Sequence, residues 1–342
     1  MHILHLSDLH CGTDKVQQWA GQLADDLKQE LECNRIHAMI ISGDVTNRAD
    51  EEEYTNAQIF IEQICEEFRI DKLNLAIVPG NHDLNWELSK KSYFLKYKEE
   101  LEQNPKEGEY ISFGDDVIGL KDDNTYMKRF LPFSDFYEQV TGSAYALDYS
   151  EQGVIYHVKE HGLLILGLNS AWQVDHHYTN RVGICNSALD RALKRIRNND
   201  DYADCLKLAV WHHPISSSSE DRITDLGFME RLAQNGFCVC LHGHLHQTSN
   251  TLFRYDHNII SGRKIEIIGA GTFGAPTRDW TPGYPLQYNL IKISQKQLFV
   301  ETRCRTELNG AWKPDARWTQ GPGKDPLPRY FIDLSQGLKK KV

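Results

Sequence analysis

Five separate apolar segments of this sequence end in the same kinds of residue, and this repetition constrains the fold more than any other feature. Each segment has the pattern of a strand, and aspartate, asparagine or histidine follows it. These residues are Asp8 and His10; Asp44; Asn81, His82 and Asp83; His212 and His213; and His242, His244 and His246. A single histidine after a strand is more often structural. In open α/β sheets, however, ligands gather beyond the carboxyl ends of the strands, so five such groups together predict one functional site.

The order of strand and helix patterns predicts the fold class. Strands are predicted at 2–8, 37–44, 73–83, 153–170, 205–213, 236–244, 263–271, 286–293 and 297–314. Amphipathic helices are predicted at 14–31, 51–68 and 187–199. The alternation of strand and helix over the first 83 residues indicates an α/β fold in which helices cover a sheet.

Residues 86–150 interrupt this alternation. The patterns at 86–103 and 124–142 are helical, mixed in charge and rich in aromatic residues, so we expect an inserted helical cap. The predicted units are a catalytic domain at 1–85 and 151–300, the cap at 86–150, and a C-terminal extension at 301–342. The extension is expected to be partly strand, with a tail that is mobile at its basic end.

Charge and cysteine content narrow the class of protein. The net charge of −10 argues against broad electrostatic binding to nucleic acid, although bound divalent cations would return positive charge at one place. The eight cysteines are scattered without a C-x-x-C pair, which favours reduced thiols and a cytoplasmic location. We expect no signal peptide, because Met1 leads directly into a strand pattern. We expect no membrane span either, because no apolar run approaches about 18 residues.

The residues that follow the strands offer oxygen and imidazole nitrogen but no thiolate. This donor set suits manganese, iron or zinc. Seven candidate ligands are too many for one ion, so two metal ions that share a bridging carboxylate are the economical arrangement. Two ions roughly 3.5–4 Å apart can activate a bridging hydroxide and stabilise both the attacking and the leaving oxygen in phosphoryl transfer.

We expect no organic cofactor. Residues 269–274, GAGTFG, match the G-x-G-x-x-G fingerprint of dinucleotide-binding proteins. That site requires a helix directly after the glycines, whereas Pro276 follows here. A turn that carries the backbone past the metal site is the better interpretation.

The polar residues, taken in order, resemble the calcineurin-like metallophosphoesterases. The pattern of that superfamily is D-x-H, G-D, G-N-H-[D/E], H and G-H-x-H, and it spans about 240 residues here. The matching residues are Asp8-Leu9-His10, Gly43-Asp44, Gly80-Asn81-His82-Asp83, His212 and Gly243-His244-Leu245-His246. The resemblance implies a four-layer α/β-β-α sandwich, in which two sheets pack face to face with helices outside. Residues 86–150 and 275–342 carry no comparable signature.

The resemblance also implies a role for each matching residue. One metal ion would be bound by Asp8, His10, Asp44 and His246. The other would be bound by Asp44, Asn81, His212 and His244, with Asp44 as the bridge. His82 would contact the phosphate and protonate the leaving oxygen while Asp83 orients it, and a metal-bound hydroxide would attack phosphorus in line.

Other residues have weaker assignments. His213, Asn169, Arg181 and Arg278 are candidate substrate contacts, although a turn role for Asn169 and a solvated surface role for each arginine are real alternatives. His242 has no place in the implied ligand scheme, so we expect it to support the site without binding metal.

The implied function is metal-dependent hydrolysis of a phosphodiester in a nucleotide-like small molecule. The H-H-P and L-H-G-H-L-H motifs resemble the class III cyclic-nucleotide phosphodiesterase branch of the superfamily, and ILHLSDLHCG is similar to the start of its DNA-repair nucleases. A nuclease acting on DNA or RNA ends or single strands is therefore one alternative. Another is a phosphoprotein phosphatase or a phosphate-sensing module of a larger assembly.

Overall fold

The computed structural model describes residues 1–12, 16–101, 103, 105–106, 108–217, 220–256, 262–294, 297–307 and 310–334. The strands are β1 (His2–Leu6), β2 (Ala38–Ser42), β3 (Leu75–Val78), β4 (Tyr93–Tyr97), β5 (Tyr110–Ser112), β6 (Val117–Lys121), β7 (Gly153–Val158), β8 (Leu163–Leu168), β9 (Leu206–Val210), β10 (Phe237–His242), β11 (Ser249–Arg254), β12 (Lys264–Gly269), β13 (Leu286–Ser294), β14 (Gln297–Arg305), β15 (Lys313–Pro314) and β16 (Arg329–Asp333). The helices are α1 (Val16–Asp25), α2 (Glu51–Phe68), α3 (Trp86–Lys90), α4 (Asp123–Met127), α5 (Leu131–Thr141), α6 (Asn186–Arg197) and α7 (Gly227–Gln234).

Two large sheets form the body of the molecule. The first has the order β15-β14-β13-β1-β2-β3, with β16 also paired to β14, and the second has the order β11-β12-β10-β9-β8-β7. Strands β1, β2 and β3 are parallel to one another, as are β8, β9, β10 and β12. Strands β2, β3 and β8 are buried along their whole length and almost entirely apolar, because both of their faces are covered.

The core is divided by the second sheet. Leu163 and Ile165 of β8 join the larger apolar cluster, which also contains the residues of the first sheet and of α1, α2 and α5. Leu164 and Leu166, which point to the opposite face, pack with residues of α6 and α7. Helices, two sheets and helices therefore succeed one another, which confirms the predicted four-layer sandwich.

The segment inserted after β3 differs from the helical pattern of its sequence. The helix expected at 86–103 ends at Lys90, and Tyr93–Tyr97 forms the edge strand of a three-stranded antiparallel sheet, β4-β6-β5. Pairing with Val117–Lys121 overrides local helix propensity there. The helical pattern at 124–142 is confirmed by α4 and α5. Helix α5 belongs to the body, because the Phe136 ring stacks on Tyr54 of α2.

Arg129 fastens the inserted segment to the loop that follows β8. Its side chain is fully buried and donates to the carbonyl oxygens of Val174, Tyr126 and Trp172 and to the Tyr149 hydroxyl. The guanidinium also lies 3.6 Å from the centre of the Tyr126 ring. A buried cation satisfied in this way links the segment directly to residues 172–174.

The C-terminal residues complete the first sheet. Strand β14 runs through the boundary predicted at residue 300, and β16 pairs with it. Arg303 of β14 forms a buried ion pair with Asp26, which lies in the single π-helical turn after α1. The predicted mobile tail at 335–342 lies outside the described residues.

No helix among the described residues combines the length and apolar character needed to cross a membrane. All eight cysteines are free thiols.

Candidate dinuclear metal centre

The predicted ligands lie beyond the carboxyl ends of strands from both sheets. Asp8 and His10 follow β1, Asp44 follows β2, Asn81 follows β3, His212 follows β9, and His244 and His246 follow β10. Backbone hydrogen bonds hold these loops together: Asp8 N donates to the Gly43 oxygen, and Gly243 N donates to the His212 oxygen. The topology thus places residues about 240 positions apart in sequence at one site.

One cluster consists of Asp8, His10 and His246, each of which offers a ligand atom within 4.8 Å of the others. Nε2 of His246 lies 3.3 Å from Oδ1 of Asp8 and 3.3 Å from Nε2 of His10. Two ligands of one ion at the usual bond lengths lie about 3 Å apart. The spacing of this cluster therefore suits a single metal ion.

A second cluster shares Asp8 and adds Asp44 and His212. Nε2 of His212 lies 3.1 Å from Oδ2 of Asp44 and 3.2 Å from Nδ1 of His244. His212, His213 and His244 form a third group by the same distance criterion. Two metal ions that share a carboxylate require two groups of ligands that lie side by side and have a carboxylate in common, as these groups have in Asp8.

Buried oxygens without partners provide the test of whether this site fits metal ions. Oδ1 of Asp8 and Oδ1 of Asn81 are shielded from solvent, and neither has a hydrogen-bond partner within the described ranges. Such atoms are costly unless something compensates them. Divalent cations would satisfy both oxygens and also the facing imidazole nitrogens, so the residues fit the implied pair of ions.

The loops carry unusual backbone conformations. Asp8, His10, Asp44, His244 and His246 all have positive φ, and they are five of the eight non-glycine residues described with this conformation. Left-handed conformations cost roughly 1–2 kcal/mol per residue and cluster at functional sites. The backbone is thus bent to direct these side chains inward.

Two glycines of the motifs allow the loops to approach one another. A Cβ atom at Gly80 would overlap the Asp44 carboxylate, and one at Gly243 would overlap the Ser7 hydroxyl. The glycines that precede Asn81 and His244 in these motifs therefore have a steric reason in this fold.

Backbone carbonyls orient two of the histidines predicted to bind metal. Nδ1 of His212 donates to the Ser42 oxygen at 2.7 Å, and Nδ1 of His246 donates to the Asp279 oxygen at 2.6 Å. Each contact fixes the proton on Nδ1 and leaves the Nε2 lone pair facing the cluster. Nδ1 of His10 lies 3.1 Å from Oδ1 of Asn47 in a similar arrangement.

The match to known sequences agrees with this geometry. Residues 1–248 match the model of the calcineurin-like phosphoesterase family. The chain belongs to this family. Membership assigns the protein to metal-dependent phosphoester hydrolysis in general and confirms the superfamily predicted from the motifs. A search of curated proteins gave no match.

The solved structures that a structural search matched to this chain have low sequence identity to it. GAP50, described as the anchor in the inner membrane complex of Plasmodium, is 9% identical, with 91% of this chain and 87% of that chain covered and a TM-score of 0.44. Vacuolar Protein Sorting 29 from Cryptosporidium parvum is 12% identical, with 97% of both chains covered and a TM-score of 0.34. A protein from Streptococcus pneumoniae described as a predicted phosphoesterase is 11% identical, with 91% and 95% covered and a TM-score of 0.33.

His82 of this phosphoesterase is oriented differently from the expectation. Its Nδ1 lies 2.9 Å from the Asn47 carbonyl oxygen, and its backbone N–H donates to Oδ1 of Asp44. Burial opposes the charged imidazolium, but the Asp44 carboxylate and the Asn47 carbonyl outweigh it and raise the pKa of His82. The imidazole is thus held with Nε2 free of this contact.

Asp83 does not contact the His82 imidazole, so the expectation that it orients this ring needs correction. The buried carboxylate accepts hydrogen bonds from the backbone amides of Val45, Thr46 and Gly80 and from the Tyr54 hydroxyl. The side chain is thus directed towards the loop after β2. Burial and the Asp44 charge raise the pKa of Asp83 to about 6.

His213 is completely enclosed beside the site. The Ser170 hydroxyl accepts the backbone N–H groups of His212 and His213 and lies 2.8 Å from Nδ1 of His213. Since this oxygen already accepts two donors, its own hydrogen is directed at Nδ1, and the ring proton resides on Nε2. That Nε2 has no partner among the residues described, which makes it a buried, available donor.

The remaining candidate substrate contacts have other contacts in the structure. Asn169 is buried, donates to Oε1 of Gln152 and accepts the Ala171 amide, as in a structural turn. The Arg181 guanidinium stacks 3.3 Å from the centre of the Tyr178 ring. The Arg278 side chain is 82% exposed and precedes Asp279, whose carbonyl positions His246.

Residues 269–274 form the turn that was expected from the glycine pattern. The Thr272 hydroxyl donates to the backbone carbonyl oxygen of Asp8, and the backbone N–H of Phe273 donates to that of Ser7. The segment therefore supports the loop that contains Asp8.

His242 is buried, and its Nδ1 lies 3.0 Å from the backbone oxygen of Gly243. It belongs to none of the three candidate metal-binding groups found among the described residues.

Sequence reasoning did not identify Asn47 and Asp221 as part of the site. Asn47 contacts both His10 and His82, and Oδ2 of Asp221 lies 2.5 Å from Nε2 of His244. Neither residue lies within a motif block. Asn47 carried a signal, because it follows the G-D motif by three residues. Ser170, which contacts His213, was a candidate pocket residue together with Asn169, because both end a strand pattern.

Proposed function

We propose that this phosphoesterase hydrolyses a phosphodiester in a nucleotide-like small molecule with two divalent metal ions. The observation that carries this proposal is the pair of adjoining ligand clusters, Asp8 with His10 and His246, and Asp8 with Asp44 and His212. Asp8, His10, Asp44 and His246 would bind one ion, and Asp44, Asn81, His212 and His244 the other. Manganese, iron or zinc suits this donor set. When bound, the ions supply Lewis-acid activation of water and of the phosphoryl oxygens.

His82 supplies the proton in the proposed reaction. Its raised pKa favours the imidazolium, and this form can donate to the oxygen that leaves phosphorus. The Asn47 carbonyl holds Nδ1, so Nε2 is the atom that faces the leaving group. Asp83 contributes by holding the loops after β2 and β3 in register.

His213 orients the substrate through a hydrogen bond. Its Nε2–H is a buried donor without a partner among the described side chains, and a phosphoryl oxygen would satisfy it. Donors that are fixed before substrate arrives cost no reorganisation during the reaction. This supports the predicted role of His213 as a substrate contact.

The net charge favours a small diester over a nucleic acid chain, and an exposed aromatic ring supports a nucleotide-like substrate. The net charge of −10 disfavours a long polyanion. Trp86 begins α3 four residues after His82 and is 40% exposed, so its ring is available to stack on a nucleotide base. The free thiols of all eight cysteines support a cytoplasmic location.

A panel of substrates tests the proposal. Protein reconstituted with Mn²⁺, Fe²⁺ or Zn²⁺ is assayed with bis(p-nitrophenyl) phosphate, p-nitrophenyl phosphate, cyclic nucleotides and single-stranded DNA. We expect turnover of the diester and of a cyclic nucleotide without cleavage of DNA. DNA cleavage would instead establish a nuclease, and a preference for the monoester would point to a phosphatase. A protein that binds metal but turns over no substrate would support the phosphate-sensing alternative.

A further inference from the structure

The contact between His244 and Asp221 differs from those of the other ligand histidines. Nε2 of His244 lies 2.5 Å from Oδ2 of Asp221, whereas its Nδ1 lies 3.2 Å from Nε2 of His212. His212 and His246 have the opposite arrangement, since Nδ1 is held by a carbonyl and Nε2 faces the site. The His244 ring is therefore turned the other way: its Nδ1 faces the site, and its Nε2 faces outward.

A ring turned in this way needs a hydrogen-bond acceptor at Nε2, the nitrogen that faces away from the site. A carboxylate can only accept, so the contact with Asp221 fixes the proton on Nε2 and leaves the Nδ1 lone pair directed at Nε2 of His212. A carboxylate partner also makes the imidazole a stronger donor to a cation than a neutral carbonyl would. Asp221 itself is in none of the three metal-binding groups formed by described residues.

The fold presents Asp221 to the site from the segment between β9 and α7. Ile223 is buried and donates its backbone N–H to the Pro214 oxygen, and this hydrogen bond closes the segment two residues beyond Asp221. The His244 backbone N–H donates in turn to Oδ2 of Asp8. Both the imidazole and its carboxylate partner are thus positioned by long-range contacts.

We infer that Asp221 is a positioning residue that selects the Nδ1-binding tautomer of His244 and so strengthens the second metal site. The inference depends on the proposed metal centre but not on the identity of the substrate. Replacing residues that orient a ligand histidine typically weakens metal affinity by about 10–100-fold. Asp221 should act on the ion bound by His212 and His244, and not on the ion bound by His10 and His246.

Metal affinity provides the first test. Asp221→Ala, Asp221→Asn and the neighbouring Glu220→Ala are loaded with Zn²⁺, dialysed against graded chelator, and analysed for zinc per chain. We expect Asp221→Ala to lose one of two ions at about 10–100-fold lower chelator strength than the wild type. Asp221→Asn, which keeps an accepting oxygen, should lie between them. Glu220→Ala removes an exposed charge one residue away and should match the wild type.

A double-mutant cycle separates positioning from a general effect on charge or folding. In a His244→Ala background, Asp221→Ala should cause no further loss of zinc affinity. Long-range ¹H–¹⁵N spectra of the zinc protein should show the His244 proton on Nε2 in the wild type. Unchanged zinc affinity in Asp221→Ala, or an equal loss in both backgrounds, would overturn the inference. A protein that fails the substrate panel but passes these tests would refute the proposed substrate alone.

Discussion

The Asn47 carbonyl oxygen lies 2.9 Å from Nδ1 of His82, so the backbone of one metal-site loop orients the imidazole of another. The same residue reaches His10 through its side-chain oxygen. Asn47 therefore joins the proposed proton donor to the first metal site, and substitutions can separate the two roles.

Replacement of His82 should reduce the rate without emptying the metal centre. His82→Ala removes the proton donor, and we expect kcat to fall by about 10²–10⁴-fold while two ions remain bound. Elemental analysis and steady-state kinetics on the same preparation measure both quantities. His161→Ala, which removes an exposed histidine after β7, is the control. Loss of metal from His82→Ala would contradict the role assigned here.

Asn47→Ala should weaken one metal site and spare the proton donor. The substitution removes the Oδ1 contact with His10 but keeps the carbonyl that holds His82. We expect affinity for one ion to fall by about tenfold, and saturating metal to restore most of kcat. Chelator titration followed by kinetics at high metal measures this. A loss of kcat that metal cannot rescue would mean that the side chain acts on His82 as well.

Metal removal should lower thermal stability through Asp8 and Asp44. These buried carboxylates stabilise the fold when cations compensate them, and a ligand at 100 times its Kd contributes about 2.7 kcal/mol. Chelator should therefore lower the Tm of the wild type by several degrees and leave that of Asp44→Ala nearly unchanged, as differential scanning fluorimetry would show. An equal shift in both proteins would mean that the ions bind elsewhere.

Acid should destabilise the protein partly through His5. Burial, with a smaller effect from His242, lowers the pKa of His5 to about 3, below its ordinary value of 6.5. Between these values the unfolded chain binds a proton that the folded chain excludes, so stability falls as pH decreases below 6.5. One such group contributes up to about 1.4 kcal/mol per pH unit.

The contribution of His5 can be isolated with His5→Gln, which takes up no proton in this range. Urea unfolding of metal-free protein at pH 7, 6 and 5 should show a shallower loss of stability in the variant than in the wild type. Chelator in every sample keeps metal release from contributing to the slope. Equal slopes would show that His5 is protonated in the folded protein.

Arg129 should hold the inserted segment to the loop after β8. Arg129→Ala leaves the carbonyl oxygens of Val174 and Trp172 without this donor, so we expect a loss of about 3–5 kcal/mol in the free energy of unfolding. Limited proteolysis should then cleave within residues 86–127 first. The exposed Lys128→Ala is the matched control. Intact resistance to protease in Arg129→Ala would mean that other contacts suffice.

Local sequence patterns determined much of this protein. Apolar runs that end in aspartate or histidine identified β1, β2, β9 and β10. A strand that is buried on both faces is a nearly continuous run of apolar residues, and such a run is recognisable in the sequence. The order and spacing of the motifs identified the family and predicted side chains that converge in the structure. The helices α2 and α6 were also visible from their own periodicity.

Contacts between distant segments decided the rest. Tyr93–Tyr97 is a strand because Val117–Lys121 pairs with it, and no pattern within the five residues encodes that partner. The Asp83 carboxylate reaches the amides after β2 instead of the neighbouring ring, and Asp221 meets His244 across 23 residues. Such contacts depend on where loops lie in space, since hydrogen bonds are set by distances of about 3 Å that the tertiary structure alone establishes.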